Sequence, residues 1–149
     1  MSVTLAESAG FCFGVSRAVE LVEQAAKEGK QVVTLGPIIH NRHVVERFES
    51  MGVRVIDTPE EAFPGDTVII RSHGISRDVY RRLECRGAEI VDATCPFVKK
   101  IHRIVEKESE AGKHIVIIGD ANHPEVQGIL GWAGDNGIAF QSVEELTHL

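Results

Sequence analysis

The chain has 149 residues, 43% hydrophobic and 26% charged, enough apolar material for an ordinary core and enough charge to stay soluble. Its formal net charge of −6 argues against a nucleic-acid or anionic-membrane binder at the level of the whole surface, while leaving room for a local anion site. The longest apolar run, His114 to Ile118 with its neighbours, is too short to span a bilayer. No basic-then-apolar segment opens the sequence, and three cysteines without a C-x-x-C pair make no disulfide framework. The expected setting is a reducing, cytoplasmic one, with thiols free for metal or redox chemistry.

Strand and helix signals alternate along the chain. Residues 3–6 read as a strand, followed by a helix over 15–27 with Val15, Ala18, Val19, Val22, Ala25 and Ala26 on one face. Gly29 ends that helix, 32–35 is the next strand, and Gly36-Pro37 breaks it. A helix over 41–50, a short strand over 53–56, a brief helical turn opening at Thr58-Pro59 and a strand over 67–71 follow. Ser76 caps a helix to about residue 86, and Glu89-Ile90-Val91 reads as a strand. The helix opening at Pro96 places Val98, Ile101 and Val105 inward and stops at Gly112. A strand over 114–118, a helix over 124–132, a strand near 138–140 and a capped helix start at Ser142 complete the pattern. Such alternation predicts an α/β fold of parallel sheets with flanking helices.

In open α/β sheets, ligands bind beyond the carboxyl ends of the strands. The reactive side chains predicted to fall in those loops are Cys12, His40, His73, Cys95, and His123 with Glu125. Cys12 in Gly10-Phe11-Cys12-Phe13-Gly14 and Cys95 in Asp92-Ala93-Thr94-Cys95-Pro96 sit at matching strand-to-helix junctions, where backbone N–H groups favour a thiolate. Each residue also has a plainer role. A lone cysteine is usually a small buried hydrophobe, histidines often cap helices, and Glu125 and Asp92 suit first-turn and capping positions. Cys85 lacks a junction and reads as structural. The remaining histidines fall in helices (His43, His102), at the foot of a strand (His114) or at the end of the sequence (His148). The glycines at 10 and 14 make neither a dinucleotide fingerprint nor a P-loop.

Taken in order, Gly10-Phe11-Cys12-x-Gly14-Val15, His40-Asn41, Ser72-His73-Gly74, Asp92-Ala93-Thr94-Cys95-Pro96 and His123-Pro124-Glu125-Val126 resemble the 4-hydroxy-3-methylbut-2-enyl diphosphate reductases (LytB-like) of the non-mevalonate isoprenoid pathway. The resemblance implies a trefoil of three α/β lobes around a [4Fe-4S] cluster. This chain would supply the first lobe with its N-terminal strand (1–95) and part of the second (96–149). Cys12 and Cys95 would be two of three cluster thiolates, His40, His73 and His123 would line the diphosphate pocket, and Glu125 would supply a proton. The implied partners are an allylic diphosphate substrate and a one-electron donor such as ferredoxin or flavodoxin. The family's third cysteine and further pocket residues lie beyond residue 149. That implies a chain that is inactive by itself and prone to self-association through the unpaired segment 3–6. Two other readings remain: a non-catalytic, anion-binding α/β module without a cluster, and a mononuclear zinc site on Cys12, Cys95 and His123, for which no familiar zinc spacing exists.

Overall fold

The computed structural model describes residues 2–7 and 9–147, with side chains as far as 145. The elements are α1 (Phe13–Lys27), β1 (Val32–Leu35), α2 (Arg42–Ser50), β2 (Arg54–Ile56), β3 (Thr67–Ile70), α3 (Arg77–Cys85) and β4 (Glu89–Asp92). Then come α4 (Pro96–Glu110), β5 (Ile115–Ile118), α5 (Pro124–Ala133), β6 (Gly137–Phe140) and α6 (Val143–Thr147), with 3-10 turns at Pro59–Glu61 and Gly134–Asn136. His148 lies outside the described residues.

The first four strands form one parallel sheet in the order β2-β1-β3-β4. Every strand is short and apolar because both faces are covered. Val32 and Ile69 face a cluster with Ala18, Val19 and Val22 of α1 and Phe48 of α2. Val33, Leu35, Val68 and Ile70 face the opposite cluster with Ile75 and Leu83. The chain steps from β1 to β2 on one side and then to β3 on the other, so the ends of β1 and β3 form a topological switch point. A crevice opens at such a point.

A second parallel sheet pairs β5 with β6. Its Ile115 and Ile117 pack on Val105 of α4 and on Ile129, Trp132 and Ala133 of α5. Its other face leaves Val116 56% and Ile118 88% exposed. The Ser76 cap of α3 forms as predicted, its side chain accepting from the Val79 N–H at 3.3 Å, and Asn41, read as the first residue of a helix, caps α2 by accepting from the Val44 N–H at 3.3 Å.

Three expectations are corrected. Residues 3–6 are unpaired as expected but form no strand, joining neither sheet, and Val3 and Leu5 are 95% and 82% exposed. Their alternation is that of a strand, but a strand needs a neighbour to satisfy its backbone. Cys12 therefore opens α1 without a sheet strand before it, and the match between its junction and that of Cys95 holds only at the helix. In α4 the inward position is His102, 5% exposed, while Ile101 faces out at 40%. Both choices fit a helical stripe beginning at Val98. The flat imidazole wins because it slots between two glycines and stacks on Trp132 at 5.7 Å. Finally, Cys85 is an exposed thiol at the last residue of α3, with no packing role.

Candidate functional site

The three histidines at the strand ends come together. His40 lies in the loop after β1, His73 in the loop after β3, and His123 at the N-cap of α5. The His40 and His73 rings are 5.5 Å apart between centroids, and those of His73 and His123 are 5.8 Å apart. His73, half-buried, is the centre of the group. Its Nδ1 is buried and has no hydrogen-bond partner. Burial and, after it, the charges of Arg71, His40 and His123 hold its pKa below the ordinary histidine range. Without a ligand the central imidazole is therefore held neutral near pH 7, and an arriving anion favours its protonation.

Glu125 stands in the first turn of α5, half-buried, and its backbone N–H donates to His123 Nδ1 at 3.2 Å. That bond fixes the imidazole as an acceptor at Nδ1, which leaves Nε2 to carry the ring proton. The carboxylate and the imidazole thus belong to one rigid helix start. Gly128, one turn further along α5, lets the helix pass close to the His73 carbonyl, which would be 3.6 Å from a Cβ there.

Cys12 and Cys95 are the N-caps of α1 and α4, and neither sulfur is spent on capping its helix. The two helix starts meet: a Cβ on Gly14 would lie 2.8 Å from Cys95 Sγ. Only glycine at that position lets Cys95 lie against the first turn of α1. The loop carrying Cys95 is braced from several sides. Its N–H donates to Ser72 O at 2.9 Å, which ties it to the His73 loop. Arg17 of α1 donates to Asp92 O at 3.2 Å and to Thr94 O at 3.4 Å. The Asp92 carboxylate accepts from the Thr94 N–H at 2.9 Å and pairs with Lys99. Burial pushes the Asp92 carboxyl up, yet Lys99 and Thr94 outweigh it and hold the pKa below normal. Burial, and after it the same carboxylate, drives the Tyr80 phenol well above its usual range.

Two free thiols at helix N-termini, one resting in a cradle that a Cβ would fill, fit a thiolate-bound iron–sulfur group as two of its ligands. No set of three His, Cys, Asp or Glu side chains that could hold a metal exists among the described residues. Cys85 is at the far end of α3, about 13 Å of helix from its start, and His123 belongs to the histidine cluster. The mononuclear zinc reading has no support in this arrangement.

The family is decided by the match over almost the entire chain: residues 3–149 fit the model described as LytB protein. The chain belongs to the LytB family. It is 50% identical to the protein named 4-hydroxy-3-methylbut-2-enyl diphosphate reductase of Caldanaerobacter subterraneus subsp. tengcongensis, matching all of this chain and 53% of that one. A protein of the same name from Dehalococcoides mccartyi is 49% identical, with 93% of this chain and 49% of that one covered. Among solved structures, that of (E)-4-hydroxy-3-methyl-but-2-enyl diphosphate reductase, described as the terminal enzyme of the non-mevalonate pathway, superposes with a TM-score of 0.83 at 45% identity. It spans 98% of this chain and 53% of its own. The corresponding reductase of Plasmodium falciparum superposes at 0.90 with 31% identity, over 96% of this chain and 45% of its own. The LytB-family chain spans about half the length of the curated relatives it matches. No described helix is long and apolar enough to cross a membrane.

One residue of this region escaped the sequence reading. Arg71, directly after β3, presses its guanidinium against Gly36, where a Cβ would lie 2.7 Å from Nη1. As the basic end of an apolar strand it reads as a solvated charge. The signal that would have marked it is its place at the start of the turn that carries His73, closed by the Gly74 N–H donating to Arg71 O at 3.0 Å.

Proposed function

We propose that this chain forms the N-terminal part of a 4-hydroxy-3-methylbut-2-enyl diphosphate reductase, the oxidoreductase that removes an allylic hydroxyl to give isopentenyl and dimethylallyl diphosphate. In this reading residues 1–95 are the first lobe and 96–149 part of the second, meeting where Cys95 opens α4. Cys12 and Cys95 would hold a [4Fe-4S] cluster as two of its thiolate ligands. Once bound, such a cluster supplies electrons one at a time, drawn from a donor such as ferredoxin or flavodoxin. The net change takes two electrons and two protons and releases water.

The chain's own part is binding and proton supply. His40, His73 and His123 receive the diphosphate at the switch point, where loops present N–H groups and imidazoles. Its negative charge raises the depressed pKa of His73, so binding takes up protons near neutral pH. Glu125, held beside His123 on the first turn of α5, delivers a proton towards the leaving hydroxyl.

The observation that carries this reading is the meeting of Cys95 with Gly14 at two helix starts, beside three histidine rings within 5.8 Å of their neighbours, in a LytB-family chain. The test joins residues 1–149 to the remaining half of the 50%-identical relative, reconstitutes the fusion with iron and sulfide without oxygen, and assays reductive dehydroxylation with a reduced donor. Turnover that depends on Glu125 supports the reading. A folded fusion that holds a cluster but never turns over would leave only an anion-binding module.

A further inference from the structure

We propose that Arg71 is the permanent cation of the diphosphate site, holding a phosphate-type anion in the groove between the ends of β1 and β3 and the start of α5. The inference rests on the diphosphate reading of the histidine cluster and adds to it a residue and a place.

A groove of about 390 Å³ opens at the switch point, lined by Gly36, Thr58, Arg71, Ser76 and Gln127 among others. Arg71 is half-buried in its wall, and its Nε is shut away from water with no acceptor. Other arginines show what a satisfied guanidinium looks like here. Arg17, Arg54, Arg77, Arg82 and Arg86 each hold a carbonyl or a carboxylate. Arg71 forms no ion pair and no side-chain hydrogen bond among the described residues. Leaving a buried N–H of a charged group unmatched costs more than leaving a neutral one. Folding accepts that cost at Gly36, whose φ of +68° and missing side chain make room for the guanidinium.

The chemistry of the missing partner follows. It must be an anion with several acceptor oxygens, since a guanidinium presents a planar fork of donors. It must also reach towards the histidines, because Arg71 and His73 share one turn, closed by the Gly74 N–H donating to Arg71 O at 3.0 Å, and Gly74 lines the groove. The lone carboxylate lining the groove, Asp57, is exposed and forms no ion pair with Arg71, and the other cation in the lining, Arg82, is already paired with Glu60. A phosphate group meets these requirements, and in this assignment the second phosphate of a diphosphate falls to the imidazoles. Division of labour follows as well: the central imidazole of His73 is held neutral at rest, while the fixed charge of Arg71 attracts the ligand at any pH.

Inorganic pyrophosphate is the probe, titrated into the 149-residue chain by calorimetry at fixed salt. Arg71→Gln is expected to weaken binding roughly 10- to 100-fold, the loss of one charge-assisted contact. Arg71→Lys is expected to recover part of it, and Arg81→Gln, at an exposed site, to change nothing. Gly36→Ala, which pushes a Cβ onto the guanidinium, should weaken binding in the wild type but add nothing to Arg71→Gln. Imidazole titration by NMR gives a readout that folding alone does not move: without the guanidinium charge, the pKa of His73 should rise. If His73→Ala weakens binding while Arg71→Gln does not, the inference falls and the histidine site stands. If the wild-type chain binds no pyrophosphate, both fall. Equal losses in Arg71→Gln and Arg81→Gln would reduce the effect to net charge and overturn the assignment.

Discussion

Gly14→Ala tests the meeting of the two helix starts. The new Cβ would lie 2.8 Å from Cys95 Sγ, 3.0 Å from Cys95 Cβ and 3.7 Å from its Cα. The sulfur can swing away, but the Cys95 Cβ is fixed to the backbone, so α4 must retreat by several tenths of an ångström. Overpacking of this kind costs about 1–3 kcal/mol. Replacing a helical glycine returns up to about 1 kcal/mol. With that return taken in full, the net loss should be about 0–2 kcal/mol, or up to roughly 8 °C in Tm for a chain of this size. Urea unfolding followed by the fluorescence of the single Trp132 measures it, because that indole donates to Ile75 O at 2.9 Å and reports α5 docking. Alkylation of Cys95 by iodoacetamide, resolved from Cys12 and Cys85 by peptide mapping, should quicken as the thiol leaves its cradle. A variant as stable as wild type, or more so, with unchanged alkylation would refute the close approach.

Two further outcomes are expected. In the fusion with the relative's remaining half, Glu125→Gln should retain iron and pyrophosphate affinity while turnover falls by about 100-fold or more, the usual scale of general acid catalysis; steady-state kinetics decide it, and intact turnover would leave Glu125 a helix-start carboxylate only. Acid should destabilise the chain through His73 and His102, whose pKa values are held low mainly by burial. The unfolded chain takes up protons below about pH 6.5 while the folded one does not. Stability should therefore be complete above that pH and fall as pH drops towards the folded values, and His102→Gln should flatten the slope in urea titrations at pH 7.5 and 5.5.

Much of this was legible in the sequence. The strands at 32–35 and 67–71 needed only apolar runs between turn signals, and the capped helix starts needed only Asn41, Ser76 and Pro124. The histidines were found because strand ends in parallel sheets are where ligands bind. What escaped depends on contacts between distant parts of the chain. Residues 3–6 carry a strand's alternation without a partner. His102 rather than Ile101 turns inward because Gly74 and Gly128, far apart in sequence, leave a slot one imidazole thick. Gly14 matched no glycine motif, since its purpose is to admit a sulfur 81 residues away. Arg71 lacks any local mark, and only the unmatched Nε in the fold singles it out.

The most direct test of the central claim, that Cys12 and Cys95 form one thiolate site at two helix starts, is an iron count in the fusion after anaerobic reconstitution. Cys12→Ser and Cys95→Ser should each lose the cluster, and Cys85→Ser, at the far end of α3, should retain it in full. Equal iron loss in all three variants, or full retention in the first two, would contradict the account.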